Sequence, residues 1–421
     1  MTVKKKIFVI SDHPFAPSGV GTQTKYIIEA LLESGKYSVV CFGGAVKHEN
    51  YQPQKTEQWG DDLIIYPVDG YGTQETVRSL LWMQKPDVMW FMTDPRFYTW
   101  LWDMENEIRA LVPMVYYHVW DNLPLPKFNR NYYLSNDLIV TISKVTDHIV
   151  KNVAPEVESI YLPHAVDTNI FKKMDDEAIN QLRVQHFGKD HQNKTIFFWN
   201  NRNARRKMSG SVLWWFKEVA DKIGRDYVRL IMHTDSKDPN GQDLDAIIQE
   251  LGLSDGTVLL SRNKIPPNDL AAMYNIVDCT INISDAEGFG LATLESLACE
   301  TPIIVNMTGG LQEQVRDEEG NWFGLGIEPA SKAVIGSQEV PYIYEDRVSG
   351  EDFQYALLTF YAMSDSTRAQ LGAEGRQHVL KNYNFETYRK KWLEIFEQTI
   401  EKHGSWDTRR NYQTWEMREI V

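Results

Sequence analysis

The chain has 421 residues, 43% hydrophobic and 24% charged, a balance that builds globular cores and excludes a disordered chain. Its 44 basic and 58 acidic residues leave a net charge of −14, which disfavours an extended nucleic-acid or anionic-lipid partner. Three scattered cysteines, Cys41, Cys279 and Cys299, argue against a disulfide framework or zinc site and favour a reducing cytoplasm.

The length suits two domains of similar size. No stretch approaches the ~18 consecutive apolar residues of a membrane span. The first apolar run, Ile7–Ile10, ends at Ser11-Asp12-His13-Pro14, too short for a signal-peptide core, and reads as a buried strand. Pro17-Ser-Gly-Val-Gly21 forms a glycine loop after it, and Gln23–Ser34 has helical spacing. Further strands are expected at Ser38–Phe42, Val88–Met92, Met114–Tyr117 and Leu138–Ile142, with a helix at Gln74–Met83. Lys85-Pro86-Asp87 stops that helix.

The rhythm restarts after a charged segment, Lys172–Lys194, taken as the domain boundary. Ile196–Trp199, Val228–Met232, Val258–Leu260, Cys279–Ile283 and Ile303–Val305 are the second strand series. Ser211–Ala220, Leu244–Leu251, Asn268–Ile276 and Ala292–Cys299 are its helices. Two such βα series imply an α/β chain with two doubly wound sheets, whose ligands sit at the carboxyl ends of the strands. The expected domains are 1–171, 172–384 and a final helix and tail, 385–421, that packs back on the first domain. Its helical pattern is Phe385–Glu401, and the polar tail to Val421 has no assignment.

Asp285-Ala-Glu-Gly-Phe-Gly-Leu-Ala-Thr-Leu-Glu295 carries the most chemistry, since it follows a strand and opens a helix. Gly288 and Gly290 let backbone amides approach a ligand, and a helix beginning near Leu291 points its positive end at it. Glu295 lies one turn inside, where a carboxylate accepts hydrogen bonds from the two hydroxyls of a sugar diol. The stretch reads as a site for a polyol joined to phosphate.

Glu287 to Glu295, with its Gly-Phe-Gly-Leu, resembles the E-x7-E motif of family-4 retaining glycosyltransferases. Thr308-Gly-Gly-Leu-Gln-Glu313 is similar to that family's Gly-Gly-x-x-Glu turn, and Asn201-Arg-Asn-Ala-Arg-Arg-Lys207 to its Gly-Arg-x-x-x-x-Lys segment. Leu162-Pro-His-Ala-Val-Asp-Thr-Asn-Ile-Phe171 and Pro17–Gly21 resemble two further family signatures, all in family order.

The resemblance implies a GT-B fold: two Rossmann-like domains facing across a cleft, the first on the acceptor side and the second holding the donor. It implies a retaining, metal-independent hexosyl transfer from a UDP- or GDP-linked sugar, the nucleotide sugar being a co-substrate and no cofactor being needed. Arg202 and Lys207 would hold the diphosphate and Glu295 the ribose. Glu287, with the amides around Gly288, Phe289, Gly290 and Leu291, would face the transferred sugar. Gly19 and Gly21 would let the first domain's helix approach the phosphate from across the cleft. His118, in Tyr116-Tyr-His-Val-Trp120, occupies the position of a family His near the donor sugar, and equally reads as a hydrogen-bonded pocket residue. Glu287, Lys207, Arg202 and His118 are thus the candidate catalytic residues. Ala165, Asn201 and Glu300 depart from family glycines.

Arg205 and Arg206 read as surface charges, and Asp243-Leu-Asp245 as a solvated helix face rather than a metal site. The acceptor (sugar, lipid-linked or other small molecule) is not identified. Trp120, Pro124 and Pro126 of the first domain offer a surface for stacking a ring. A sugar-nucleotide epimerase or phosphorylase, or a non-catalytic nucleotide-sugar-binding protein, stays open as an alternative. A Rossmann oxidoreductase needs a full Gly-x-Gly-x-x-Gly, whereas Gly19-Val-Gly21 runs into Thr22-Gln-Thr-Lys25.

Overall fold

Continuous apolar runs such as Val88–Thr93 are buried along their whole length, as strands covered on both faces must be. The computed structural model describes residues 3–189 and 191–415. It divides into two compact units. The first comprises the chain up to His164, Ser337–Pro341 and the chain from Glu386 onward; the second comprises Ala165–Gly336 and Tyr342–Phe385.

In the first unit, β1 (Lys5–Asp12), β2 (Tyr37–Gly44), β3 (Gln54–Lys55), β4 (Leu63–Pro67), β5 (Val88–Thr93), β6 (Met114–His118), β7 (Leu138–Thr141) and β8 (Ser159–Tyr161) form one sheet. Its order is β3-β4-β2-β1-β5-β6-β7-β8, parallel except for β3 against β4. The order reverses between β1 and β5, which opens a crevice at their carboxyl ends.

The second unit's sheet contains β9 (Thr195–Asn200), β10 (Val228–His233), β11 (Val258–Ser261), β12 (Cys279–Asn282), β13 (Ile303–Asn306) and β14 (Gly324–Ile327). All pairs are parallel, in the order β11-β10-β9-β12-β13-β14, so the reversal falls between β9 and β12. Helices Ser209–Ile223 and Gly350–Ala362 pack Phe216 and Phe360 onto Phe197 of the central strand. An antiparallel hairpin, β15 (Ser331–Ile335) and β16 (Ile343–Arg347), follows the last sheet strand.

Several elements differ from expectation. The helix expected from Gln23 spans Gly19–Glu33, because Ser18 caps it by accepting a hydrogen bond from Gly21 N at 3.0 Å. The glycine loop is therefore the first helical turn. The charged segment Lys172–Lys194 contains a helix, Asp176–Phe187, whose only buried residue is Ile179. With one apolar anchor it has no amphipathic period to read. Asp243 caps helix Leu244–Glu250 through Ala246 N instead of lying within it.

After helix Phe385–His403 the chain binds the first unit. Trp406 Nε1 donates to Pro86 O at 2.7 Å, and buried Arg409 donates to Asp137 Oδ1 at 2.8 Å. Residues 416–421 of the expected tail lie outside the described residues. Cys41 in the first unit and Cys279 and Cys299 in the second are free and buried.

Candidate active site

The crevice of the second sheet is edged by the segments leaving β9 and β12. Leaving β9, Arg202 points outward, its side chain 65% exposed, and forks onto Asp238 at 2.6 and 3.2 Å. That hydrogen bond holds the Asp238 carboxyl down at about 2. Asn203 is buried and braces the segment, donating to Gln242 O at 2.6 Å and accepting from Ser209 Oγ at 2.8 Å. A short 3-10 turn, Arg205–Lys207, then brings Lys207 inward, where it is buried.

Leaving β12, the chain meets that turn. Lys207 Nζ donates to Glu287 Oε2, and Arg206 Nη1 lies 3.6 Å from the same oxygen while donating to Ala286 O. Asn282 Nδ2 approaches it at 3.4 Å. Burial pushes the Glu287 carboxyl up, but the Lys207 and Arg206 cations and these hydrogen bonds outweigh burial and hold it at about 2. Glu287 is therefore a carboxylate whose charge two cations neutralise. An anion that drew those cations away would leave that charge facing whatever is attached to the anion.

The backbone around Glu287 is fixed from behind. Gly290 has φ +90, and a Cβ there would meet Leu311 Cδ2 at 2.6 Å, so this position requires glycine. Gly310 N donates to Glu287 O at 3.1 Å, and a Cβ on Gly310 would sit 2.7 Å from Gly288 O. The Thr308–Glu313 turn thus packs directly against the Glu287–Gly290 loop. Phe289 turns its ring into the core against Tyr383, with centroids 5.7 Å apart, so it offers the site its backbone. Helix Leu291–Ala298 starts here with no side-chain cap, so its first amides are not taken by a capping side chain and belong to the kind of helix start that can bind an anion.

Glu295 sits in that helix and accepts a hydrogen bond from Tyr274 Oη at 2.8 Å, which Asn200 Nδ2 in turn contacts at 2.8 Å. Burial raises the carboxyl to about 7 against the Tyr274 hydrogen bond. Tyr274 and Asn200 have no signal in the sequence beyond apolar helical spacing and a strand end.

The structure thus brings Lys207, Glu287, Gly288, Phe289, Gly290 and Leu291 together, with Arg206, which had read as a surface charge. Arg202 is engaged by Asp238. Gly19, Gly21 and His118 belong to the first unit. A Cβ on Gly21 would lie 2.7 Å from Ala16 O, so that glycine serves the close turn from β1 into its helix. His118 is fully buried at the end of β6, with Nε2 2.8 Å from Tyr133 Oη, and burial drives it down to about 3. It is a neutral imidazole there. Trp120, expected to stack a ring, is buried against Phe128 and offers no open face. Open rings lie elsewhere at the carboxyl edge of this sheet: Phe15, Tyr51 and Phe97, near His13, His48 and Tyr71 respectively. Among the described residues, no group of three or more His, Cys, Asp or Glu is placed to hold a metal ion. No helix among them is long and apolar enough to cross a membrane.

Most of the chain aligns with solved structures. Sucrose-phosphate synthase from Thermosynechococcus elongatus superposes with a TM-score of 0.73 at 16% identity, over 94% of this chain and 100% of that one. HepE from Anabaena in complex with UDP and glucose gives 0.66 at 14% identity, over 94% and 100%. The chain has the GT-B fold. The second unit of this GT-B chain also carries a sequence match, since residues 185–335 fit the profile of glycosyl transferases group 1. Among curated relatives, a D-inositol 3-phosphate glycosyltransferase of Acidothermus cellulolyticus is 34% identical over 27% of this chain and 25% of its own length. Another, from Corynebacterium jeikeium, is 29% identical over 41% of each. The chain spans less than half the length of these relatives.

Proposed function

We propose that this chain is a glycosyltransferase of the family-4, retaining kind that uses a nucleotide sugar, UDP- or GDP-linked, without a metal ion. The observation that carries the reading is the buried Lys207–Glu287 pair, flanked by Arg206, at the switch point of the second sheet. The match of residues 185–335 to glycosyl transferases group 1 covers this constellation. A sugar diphosphate supplies an anion and an attached polyol. The phosphates take Lys207, Arg206 and the amides opening helix Leu291–Ala298, and Arg202 exchanges Asp238 for phosphate. Glu287, relieved of its cations, accepts from sugar hydroxyls, and Glu295 from the ribose diol.

In the transfer step the bond from the anomeric carbon to the diphosphate oxygen breaks. The acceptor hydroxyl oxygen bonds to the same face and passes its proton to the departing diphosphate oxygen, on which negative charge grows. The cations gain most at that moment, which is what accelerates the reaction. The acceptor binds the carboxyl edge of the first sheet, where Phe15, Tyr51 and Phe97 present rings that suit a sugar. His118 acts from within, fixing the end of β6. Three free buried cysteines support a reducing cytoplasm as the setting.

A melting screen across UDP-, GDP- and ADP-linked sugars tests the donor, because a bound donor raises the melting temperature by linkage. NMR of the product's anomeric configuration tests retention. A screen with no nucleotide response, or a product of inverted configuration, would refute the corresponding half of the reading.

A further inference from the structure

Glu345 is a buried carboxylate, its side chain 3% exposed, on the β16 strand of the hairpin, beyond the residues that match glycosyl transferases group 1. It engages both terminal nitrogens of Arg205, with Nη1 to Oε2 at 3.0 Å, while Arg347 Nη2 lies 3.3 Å from Oε2. Arg205 opens the turn that carries Lys207. Lys207 N donates to Ala204 O at 2.8 Å and Met208 N to Arg205 O at 3.2 Å. Met208 follows in the left-handed region at φ +59, a conformation that needs its surroundings to hold it.

The neighbouring residue of the same strand grips the other loop. Asp346 N donates to Asp285 O at 2.9 Å, and Asp285 N donates to Arg206 O at 2.8 Å. Asn306 Nδ2 bridges Asp346 O and Ser284 O at 2.7 and 2.8 Å, and Thr308 Oγ1 donates to Asp346 Oδ2 at 2.8 Å. One strand therefore touches the cation turn through Glu345 and the Glu287 loop through Asp346.

We propose that Glu345 is a positioning residue: by clamping Arg205 it sets the turn that presents Lys207 and Arg206 to the diphosphate of the donor. The proposal rests on the donor reading above for the ligand, not for the clamp itself. A buried bidentate contact made only for stability would not need to end on the residue that opens this turn.

The test compares Glu345→Gln, which keeps the shape and removes the charge, with Arg205→Met and the double variant. Hydrogen exchange at the Lys207 and Met208 amides reads the turn directly. Calorimetry with inorganic pyrophosphate and with UDP reads the cations. Each single variant should speed exchange at those amides about tenfold and weaken the binding of both anions ~5–10-fold. Arg205→Met, which leaves the buried Glu345 carboxylate with Arg347 alone, should also lower the melting temperature, and Glu345→Gln should lower it much less. The double variant should lose little more than the larger single loss, because the Arg205–Glu345 contact is common to both and the further contacts of Glu345 with Arg347 and of Arg205 with Asp285 are longer. Arg205→Met, at a largely exposed side chain, reaches the same contact should Glu345→Gln fail to fold. Unchanged exchange and affinity, additive losses, or a drop in melting temperature alone would overturn the proposal. If the unaltered protein binds pyrophosphate but no nucleotide, the donor reading fails while the clamp stands or falls on the exchange data.

Discussion

Removing the Lys207 ammonium deprives a buried Glu287 carboxylate of its nearest cation, a change that typically costs ~3–5 kcal/mol. Lys207→Ala should therefore lower the denaturant midpoint markedly, and adding Glu287→Gln should restore most of the loss. Measured below its melting temperature, Lys207→Ala should also lose ~10²–10³ in single-turnover rate at saturating donor, as removal of one oxyanion donor does. Normal saturated turnover would reduce Lys207 to a ground-state anchor. The two glutamates of the loop and helix should respond to pH with opposite sign. Glu287 falls from an ordinary 4.5 to about 2, so its pairing stabilises fully above 4.5 and is lost as pH drops towards 2. Glu295 rises to about 7, so its stability is complete below 4.5 and is lost as pH climbs through 7. Glu295→Gln should hence raise the melting temperature at pH 8 by roughly 2–4 °C, the shift a 1 kcal/mol gain brings, and leave it unchanged at pH 5. Equal shifts at both values would show that the carboxylate is not strained by burial. Ribose hydroxyls donate best to the ionised form, so affinity for a UDP-sugar, whose esterified diphosphate does not titrate in this range, should strengthen from pH 6 to 8, and calorimetry should find it flat in Glu295→Gln.

The helix Leu291–Ala298 ends on Glu300, which holds φ +64 where a glycine would be free of strain. A left-handed non-glycine residue costs ~1–2 kcal/mol, partly offset by glycine's own entropy. Glu300→Gly should stabilise the second unit by about 0.5–1 kcal/mol, read as a higher urea midpoint at constant slope. A lower midpoint would show that the long Arg376 contact at 4.0 Å outweighs the backbone. The departure from family glycine at 300 was visible in the sequence, and the backbone keeps the left-handed turn regardless. The ten strands expected are all present, because an apolar run covered on both faces has no other home; the short and only partly buried β4, β8 and β14 carry no such run and were not legible. The ends of the expected strands shifted by a residue or two, for instance where the polar strand-end residues Asn200 and Asn306 extend the ladder. The Glu287 loop was legible through its glycines, which steric need makes distinctive. The hairpin was not: β16 reads Ile-Tyr-Glu-Asp-Arg, and its one buried residue is a carboxylate, which no hydrophobic pattern marks. Arg206 was missed for a related reason, since three adjacent cations look alike until a turn sends Lys207 inward and sets Arg206 beside the same carboxylate.

With 58 acidic residues the whole chain attracts divalent cations loosely, so stimulation by magnesium at high concentration is a poor criterion of a metal-dependent step. Transfer should instead persist in EDTA at constant ionic strength; complete loss, restored by magnesium or manganese, would mean that Lys207 and the arginines do not suffice. Because the apo cations already carry carboxylate partners, donor binding exchanges one ion pair for another. Its affinity should fall only weakly between 50 and 500 mM salt, whereas a steep decline would mean that the diphosphate meets unneutralised charge. Burial also has a use that concerns neither substrate nor stability. Cys41 lies in one unit and Cys279 and Cys299 in the other, all sheltered, and burial raises each thiol well above its ordinary range. None reacts with an alkylating reagent until the chain around it opens. Pulsed labelling followed by peptide mass spectrometry therefore turns the three thiols into a clock for each unit: if Cys279 and Cys299 acquire label together while Cys41 stays unmodified, the second unit opens on its own.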